Sequence, residues 1–560
     1  MQQTPLDRLT AGVATAFAAA VLCVFPLYID RFSNLGLVKF TGGFTLFLLF
    51  CLALGACAAI GARAPAGRWG CRRRDPTLWG LAAFVLATLL STVLSLGPVS
   101  STWGLGGYYG GLMLVLYTAA GYWALRSYAA PRDLDLLLLG VGGASSVVTV
   151  LYVLNIFNID LIGAYADTAV YERAQFFSTL GQKDFNASYM AVVLPLVFYA
   201  FLSAKGPVRT ALYALPALVG GLALAVVDSE GLTLGLAAAV LVLVCHKDFD
   251  TRKLRRLALI AAAFFGWAAW MHWMRATVYT QGGTSLLSKF GRPELALPGL
   301  ALCLAVWALL ARRARRGRLG TGPVRLWQLG RAVTAVGLAA LAALVLLANF
   351  WPGFPSLGGL HDYLVFSDAW GTGRGTAWRI AWGAWADGDW QRKLFGVGPG
   401  MMHTAVAAWA GSELTPVMKT FYAAHNEYLE QLLTTGLVGL AAWAAFVAAH
   451  LRRGFAKWGR PGVAPVLLAL CSYLVQAVVS IRVSIVFPLV MLLFALLAVL
   501  SAPAPAAAPP PKPRARRRKD PAPSAQPPRR AAYAAKVALG AVAAMAVSGA
   551  VAPLIFAFLY

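Results

Sequence analysis

Ala423-Ala424-His425-Asn426-Glu427-Tyr428-Leu429 closes a polar and aromatic segment, residues 351–428, and runs on through Gly436 and Gly439 into a long apolar run. A second apolar run precedes the segment, so it reads as a large loop held between two membrane helices. It carries three of the six histidines, His361, His403 and His425. It also carries Gly371-Thr372-Gly373-Arg374-Gly375-Thr376-Ala377-Trp378-Arg379 and the glycine-rich turn Leu394-Phe395-Gly396-Val397-Gly398-Pro399-Gly400. No other stretch of the chain combines titratable groups, flexible backbone and aromatic anchors in this way.

Outward from this loop the chain is apolar. Of its 560 residues 59% are hydrophobic and only 12% charged, far below the quarter or so usual in soluble domains. This composition excludes a soluble globule and predicts an all-α polytopic membrane protein. A hydrocarbon core needs about twenty apolar residues per helix, and roughly fifteen such runs can be placed. They lie near 9–29, 40–61, 77–97, 110–125, 134–156, 187–203, 210–227, 231–245, 257–274, 294–311, 332–350, 429–450, 463–481, 485–501 and 537–559. The first run is too long, and lacks a small-residue cleavage site, to read as a removable signal peptide. The predicted organisation is N-terminal membrane helices over 1–350, an extracytoplasmic loop over 351–428, core membrane helices over 429–501, a basic Pro/Arg-rich cytoplasmic linker over 502–536 and a terminal membrane helix over 537–560.

The net charge of +26 would suit nucleic acid were it gathered on one surface. With a cytoplasmic N-terminus and alternating spans, however, roughly 35 of the Lys and Arg fall on the cytoplasmic side and about 13 outside, as the positive-inside tendency requires. The basicity is topological, no nucleic-acid partner is expected, and the 351–428 loop is placed outside the cytoplasm. The basic run within 502–530 reads equally as a contact for anionic headgroups and as a stop-transfer cluster. The seven cysteines all fall in spans or beside cytoplasmic loops, so neither a disulfide framework nor a cysteine-ligated metal is expected.

Within the loop, Trp378, Trp382 and Trp385 share one helical face and predict a short interfacial helix at headgroup level. Arg374 and Arg379 then stand near the depth of lipid phosphates. Arg374, flanked by glycines that let a ligand approach, suits bidentate phosphate binding; Arg379 reads equally as a snorkelling headgroup contact. Gly396 and Gly398 offer either an anion-binding nest or a plain turn, and Pro399 removes one donor. His425, at the mouth of a span, can titrate near neutral pH and serve as a base, with Asn426 capping the helix that follows. His361 and His403 read as loop residues. In the loop at 157–186, Arg173 is either a solvated charge or a diphosphate contact. The turn around Trp103, Tyr108 and Tyr109 reads as interfacial anchoring. Arg482 stands at another outer turn.

Gly-Arg before a Trp-rich helix, then Phe-Gly-x-Gly-x-Gly, then His-Asn-x-x-Leu leading into Gly-x-x-Gly, resembles the O-antigen ligase and O-antigen polymerase family over roughly residues 367–440, with weaker similarity back to Arg173–Asn186. The tight turn Asp228-Ser229-Glu230-Gly231 departs from the family by carrying Glu230 where a Ser-Arg-Gly pattern is usual, which puts an anion-binding role there in doubt. The resemblance implies a GT-C-like fold and a metal-independent, inverting glycosyltransferase. Its donor would be a polyprenyl-diphosphate-linked glycan, its acceptor a glycan, lipid or protein hydroxyl, and it would use no cofactor. His425 and Arg374 would be catalytic, with Arg173, Arg379, Arg482, Gly396 and Gly398 in substrate binding. Asp387-Gly388-Asp389 has the spacing of a metal-binding pair but reads as a helix stop. The competing class, a lipid-linked glycan transporter or flippase, would need ionisable residues at mid-membrane depth.

Overall fold

The computed structural model describes residues 5–59, 75–128, 133–227, 229–278, 285–316, 325–355, 358–410 and 422–502. Apart from Ala502, the expected linker and terminal span, 502–560, lie outside the described residues. The helices in chain order are α1 (Pro5–Ala19), α2 (Leu35–Ala59), α3 (Pro76–Val93), α4 (Pro98–Trp103), α5 (Leu112–Tyr128), α6 (Leu134–Ile156), α7 (Lys183–Ser203), α8 (Pro207–Val226), α9 (Glu230–Val244) and α10 (Thr251–Thr277). There follow α11 (Leu286–Lys289), α12 (Pro293–Arg315), α13 (Leu326–Phe350), α14 (His361–Leu364), α15 (Trp370–Ala386), α16 (Trp390–Phe395), α17 (Met402–Ala410), α18 (Glu427–Ala456), α19 (Val463–Gln476) and α20 (Phe487–Leu500). A two-stranded ribbon pairs Phe176 with Gln182 and Phe177 with Gly181. Otherwise the described residues form helices and turns, as expected.

Among the described residues ten helices are long and apolar enough to cross a membrane. The other expected positions inside the described residues hold shorter helices, α5 of 17, α9 of 15, and α19 and α20 of 14 residues each. Hydrogen bonds between connecting segments show alternation directly. On one face Phe32 N donates to Ala164 O at 3.1 Å, Leu96 N to Val397 O at 3.1 Å and Ser484 N to Tyr108 O at 3.2 Å. This loop face joins the turns after α1, α3, α6, α13 and α19. On the opposite face Asp75 pairs with Arg126 and Arg453, and Tyr199 OH donates to Asp248 at 2.8 Å.

Burial follows composition. α7 is apolar all round and almost wholly buried, as a helix lacking a polar stripe must be. α13, equally apolar, buries none of its residues; it touches the bundle beside the end of α9, where Arg331 Nε donates to Cys245 O at 2.8 Å, and its remaining surface suits lipid. α3 lies close against α18, where a Cβ on Gly80 would come within 2.7 Å of Phe446 Cα; small residues permit such approaches in membrane bundles.

α18 is broken. Gly436 adopts φ 68°, ψ −175°, a conformation open to glycine. The carbonyls released by the break are taken up by the glycine-rich turn: Val397 N donates to Leu433 O at 3.1 Å and Gly398 N to Thr434 O at 2.9 Å. Ser91 Oγ also donates to Thr434 O, at 2.6 Å. The backbones meet so closely that a Cβ on Gly396 would stand 2.2 Å from Thr434 O, and one on Gly436 2.2 Å from Leu394 O. A small apolar core of Ile380, Val397, Met401, Met402, Val406 and Leu433 then fixes the loop segment on α18.

Candidate functional site

α15 carries a second break. Gly371, Thr372 and Gly373 have positive φ, 61°, 62° and 93°, so the continuous helix begins at Arg374. A Cβ on Gly375 would lie 1.8 Å from Ser367 O, which explains the glycine after the arginine: it lets the start of the helix press onto the preceding turn. Arg374 is thereby aimed inward. Its Nη2 pairs with Asp184 Oδ2 at 3.2 Å and its Nη1 donates to Gly371 O at 3.1 Å. Its Nε has no hydrogen-bond partner among the described residues.

Asp184 stands in the first turn of α7 and also accepts from Ser229 Oγ at 3.1 Å. His425 faces both partners of this ion pair. Its backbone is left-handed, φ 51°, a strained state for a non-glycine residue that is typical of functional sites. Asn426 follows as a true cap, its Oδ1 accepting from Tyr428 N and Leu429 N, both at 3.1 Å. Burial, then the Arg374 guanidinium, push the imidazole down from 6.5 to about 4, against a smaller upward pull from Asp184. At neutral pH His425 is uncharged and can take a proton.

A second cluster lies beneath, on the first turns of α18. Glu427 Oε1 accepts from Tyr473 OH at 2.5 Å, and its Oε2 lies 3.6 Å from Arg482 Nε. Arg482 Nη2 donates to Gln431 Oε1 at 2.9 Å, while its guanidinium lies 5.1 Å from the Trp443 ring and 4.8 Å from that of Phe487. Tyr108 stands between the clusters: burial, then the charges of Glu430 and Asp184, raise its phenol above the usual value.

The structure thus brings Arg374 and His425 together and separates the rest. Arg379 is exposed, locked on Asp368 through Nε and Nη2 at 2.9 and 2.8 Å, and this pairing holds the Asp368 carboxyl below its ordinary range. Arg173 keeps to its own loop, 3.5 Å from Thr168 O and 5.6 Å from the Tyr165 ring. Arg482 belongs to the Glu427 cluster and spends its charge there. The N–H groups of Gly396 and Gly398 donate to Arg392 O and Thr434 O; of the two readings of this turn the structural one matches, and the substrate contact expected of these two glycines finds no free backbone donor on them.

Asp389 caps α16, accepting from Arg392 N at 2.8 Å, and Asp387 accepts from Trp409 Nε1 at 2.9 Å, roles that match a helix stop. Of the three tryptophans expected on one face only Trp382 is exposed; Trp378 packs on Trp370, their ring centres 5.1 Å apart. The residues missed in the sequence are Asp184 and Tyr108, the latter read as an anchor. Asp184 precedes an apolar run with Asn186 two positions on, and nothing local marks its pairing with an arginine 190 residues away. No protein-family model and no curated protein matches the chain.

Proposed function

We propose that this multi-pass membrane protein is a glycosyltransferase resembling the O-antigen ligases and polymerases, moving a glycan from a polyprenyl diphosphate to an acceptor hydroxyl on the loop face. The observation that carries the reading is the meeting of an uncharged, half-buried histidine and a half-buried arginine with unused donor capacity, contributed by the turn just before α18 and by α15. The acceptor oxygen attacks the anomeric carbon while its proton passes to His425. The bond from that carbon to the diphosphate oxygen breaks, the electron pair leaves with the diphosphate, and Arg374 stabilises the departing charge. In-line displacement inverts the anomeric centre.

Asp184 has two roles in this scheme. In the empty site it holds Arg374 in place, and once His425 is protonated its charge favours the imidazolium. A base held near 4 is weak. The arriving diphosphate remedies this, because its negative charge beside Arg374 offsets the guanidinium that depresses His425. Donor binding therefore strengthens the base in the state where it is needed. For the transporter alternative, the buried ionisable side chains in the spans, such as Lys39, Glu427 and His450, lie within about two turns of helix ends, which leaves the described residues without a mid-span charged pathway.

The test is transfer by purified protein from a polyprenyl-diphosphate-linked repeat, with and without a second acceptor. His425→Ala should lose roughly 10² to 10⁴ in rate while keeping the wild-type melting temperature. Wild-type turnover in that variant would remove His425 from the mechanism.

A further inference from the structure

Between α3, α5 and the first turns of α18 lies a cavity of about 40 Å³, room for two or three water molecules. The mechanism above makes no use of it. Its polar wall is Glu427, Glu430, Gln431 and Thr434, which fall at spacings of three and four on one stripe of α18, joined by Arg482 and Tyr108. Resting on the glycosyltransferase reading, we propose that this cavity is the acceptor subsite, taking a hydroxyl or hydroxymethyl group of a neutral sugar, and that it rejects the donor diphosphate.

The charge inventory supports this assignment. One guanidinium and two carboxyl groups face the cavity. Arg482 is already committed to Glu427 at 3.6 Å, to Gln431 at 2.9 Å and to the surrounding aromatic rings. An anion entering would meet Glu427 and Glu430 with Arg482 as the one lining cation, its Nε without a hydrogen-bond partner among the described residues but its charge shared with Glu427, and a diphosphate is too bulky for the space. A hydroxyl suits it, since a carboxyl oxygen, an amide and a phenol can each exchange hydrogen bonds with one. Matching a buried polar group to a substrate hydroxyl is also the strongest available route to discrimination among sugars.

The position is right for an acceptor. Tyr108 lines the cavity and is close enough to feel both Glu430 and Asp184, the partner of Arg374. Glu430 Oε2 accepts from Ala424 N at 3.3 Å, so the carboxyl that would hold the acceptor also holds the residue immediately before His425. Acceptor seated on Glu430 would thus be registered at the base through one backbone hydrogen bond.

The experiment is saturation-transfer NMR on the purified full chain in nanodiscs. The probes are the methyl β-glycosides of glucose, galactose and N-acetylglucosamine and the methyl α-glycoside of mannose, with inorganic pyrophosphate as competitor. At least one glycoside should bind the wild type. Glu430→Gln should weaken it roughly tenfold, about the effect of one lost hydrogen bond to a charged group, and Thr88→Phe, which fills the cavity floor without touching a charge, should abolish it. Pyrophosphate should not compete, and Arg374→Ala should leave glycoside binding unchanged. Each variant is taken forward only if it elutes as a single species and melts with the wild type; Val115→Phe replaces Thr88→Phe if that one does not. Failure of every glycoside to bind, equal binding in the cavity variants, or displacement by pyrophosphate would overturn the proposal. Pyrophosphate binding that ignores Arg374→Ala would instead remove the donor reading, a separate outcome.

Discussion

Replacing Arg374 by glutamine should raise the pH at which His425 titrates, and the structure sets how far. The fall from 6.5 to about 4 amounts to roughly 3 kcal/mol against the imidazolium. Burial is its larger cause and survives the substitution. A like charge close to an ionisable group is typically worth 1 to 3 pH units, and Asp184 already cancels part of it, so a rise of about one pH unit is expected. Asp184→Asn should act in the opposite direction, because it removes the charge that favours imidazolium. The assay is NMR of ¹³C-histidine-labelled protein, with the His425 resonance assigned by its absence in His425→Gln, and it requires no turnover. In rate data the free site should lose activity only as pH falls through about 4, the pH range in which His425 becomes protonated. The acid limb of kcat should lie higher than that of kcat/KM, since bound diphosphate offsets Arg374. Titration of wild-type His425 between pH 6 and 7, or shifts of the same sign in the two variants, would refute the proposed electrostatics.

Arg374→Lys should transfer almost as poorly as Arg374→Ala, measured as kcat/KM for the donor, because an ammonium cannot hold both Asp184 and Gly371 O and still present a fork to phosphate; full activity would reduce its role to plain charge. Gly396→Ala should destabilise the protein by about 2 to 4 kcal/mol, combining left-handed strain with a backbone collision that no rotamer relieves, as read from thermal melting; an unchanged melting temperature would mean that the turn and the α18 break are not in contact. A cysteine at Gln391 should react with an impermeant maleimide in intact cells and one at Lys205 should not, and the reverse would invert the sidedness inferred from charge. Transfer should persist in excess EDTA and in the Asp387→Asn, Asp389→Asn double variant, whose amide oxygens still accept from Trp409 Nε1 and cap α16; activity lost in EDTA and restored only by Mg²⁺, with an inactive double variant, would replace the arginine mechanism with a metal one.

Helix positions were legible because apolar run length is a one-dimensional property: every expected run inside the described residues holds a helix. His425 and Arg374 were legible because each is flanked by backbone features visible locally, an Asn cap in one case and glycines in the other. What escaped was pairing at a distance. Gly396 and Gly398 have the local signature of an anion nest, yet the Gly396 N–H closes α16 on Arg392 O and the Gly398 N–H is consumed by Thr434 O, a carbonyl that only the Gly436 break makes available. Arg379 and Arg482 look alike as loop arginines, but one finds an exposed carboxylate eleven residues away and the other a buried carboxylate on another helix. Asp184 gave no sign of its partner.

The mutual contact of Gly396 and Gly436 constrains how this chain can vary. Where two side chains press together, enlarging one can be balanced by trimming the other, and a lineage can wander through such exchanges while the fold is kept. Here each glycine faces peptide backbone, the Thr434 carbonyl in one case and the Leu394 carbonyl in the other. The atoms in the way are present in every amino acid, so no substitution elsewhere can make room, and neither position has a smaller residue to retreat to. Drift has closed routes at both positions, and library variants that replace either should fail whatever else they carry. The surrounding side chains of the small loop core, Val397, Met401 and Leu433 among them, remain free to trade volume with one another.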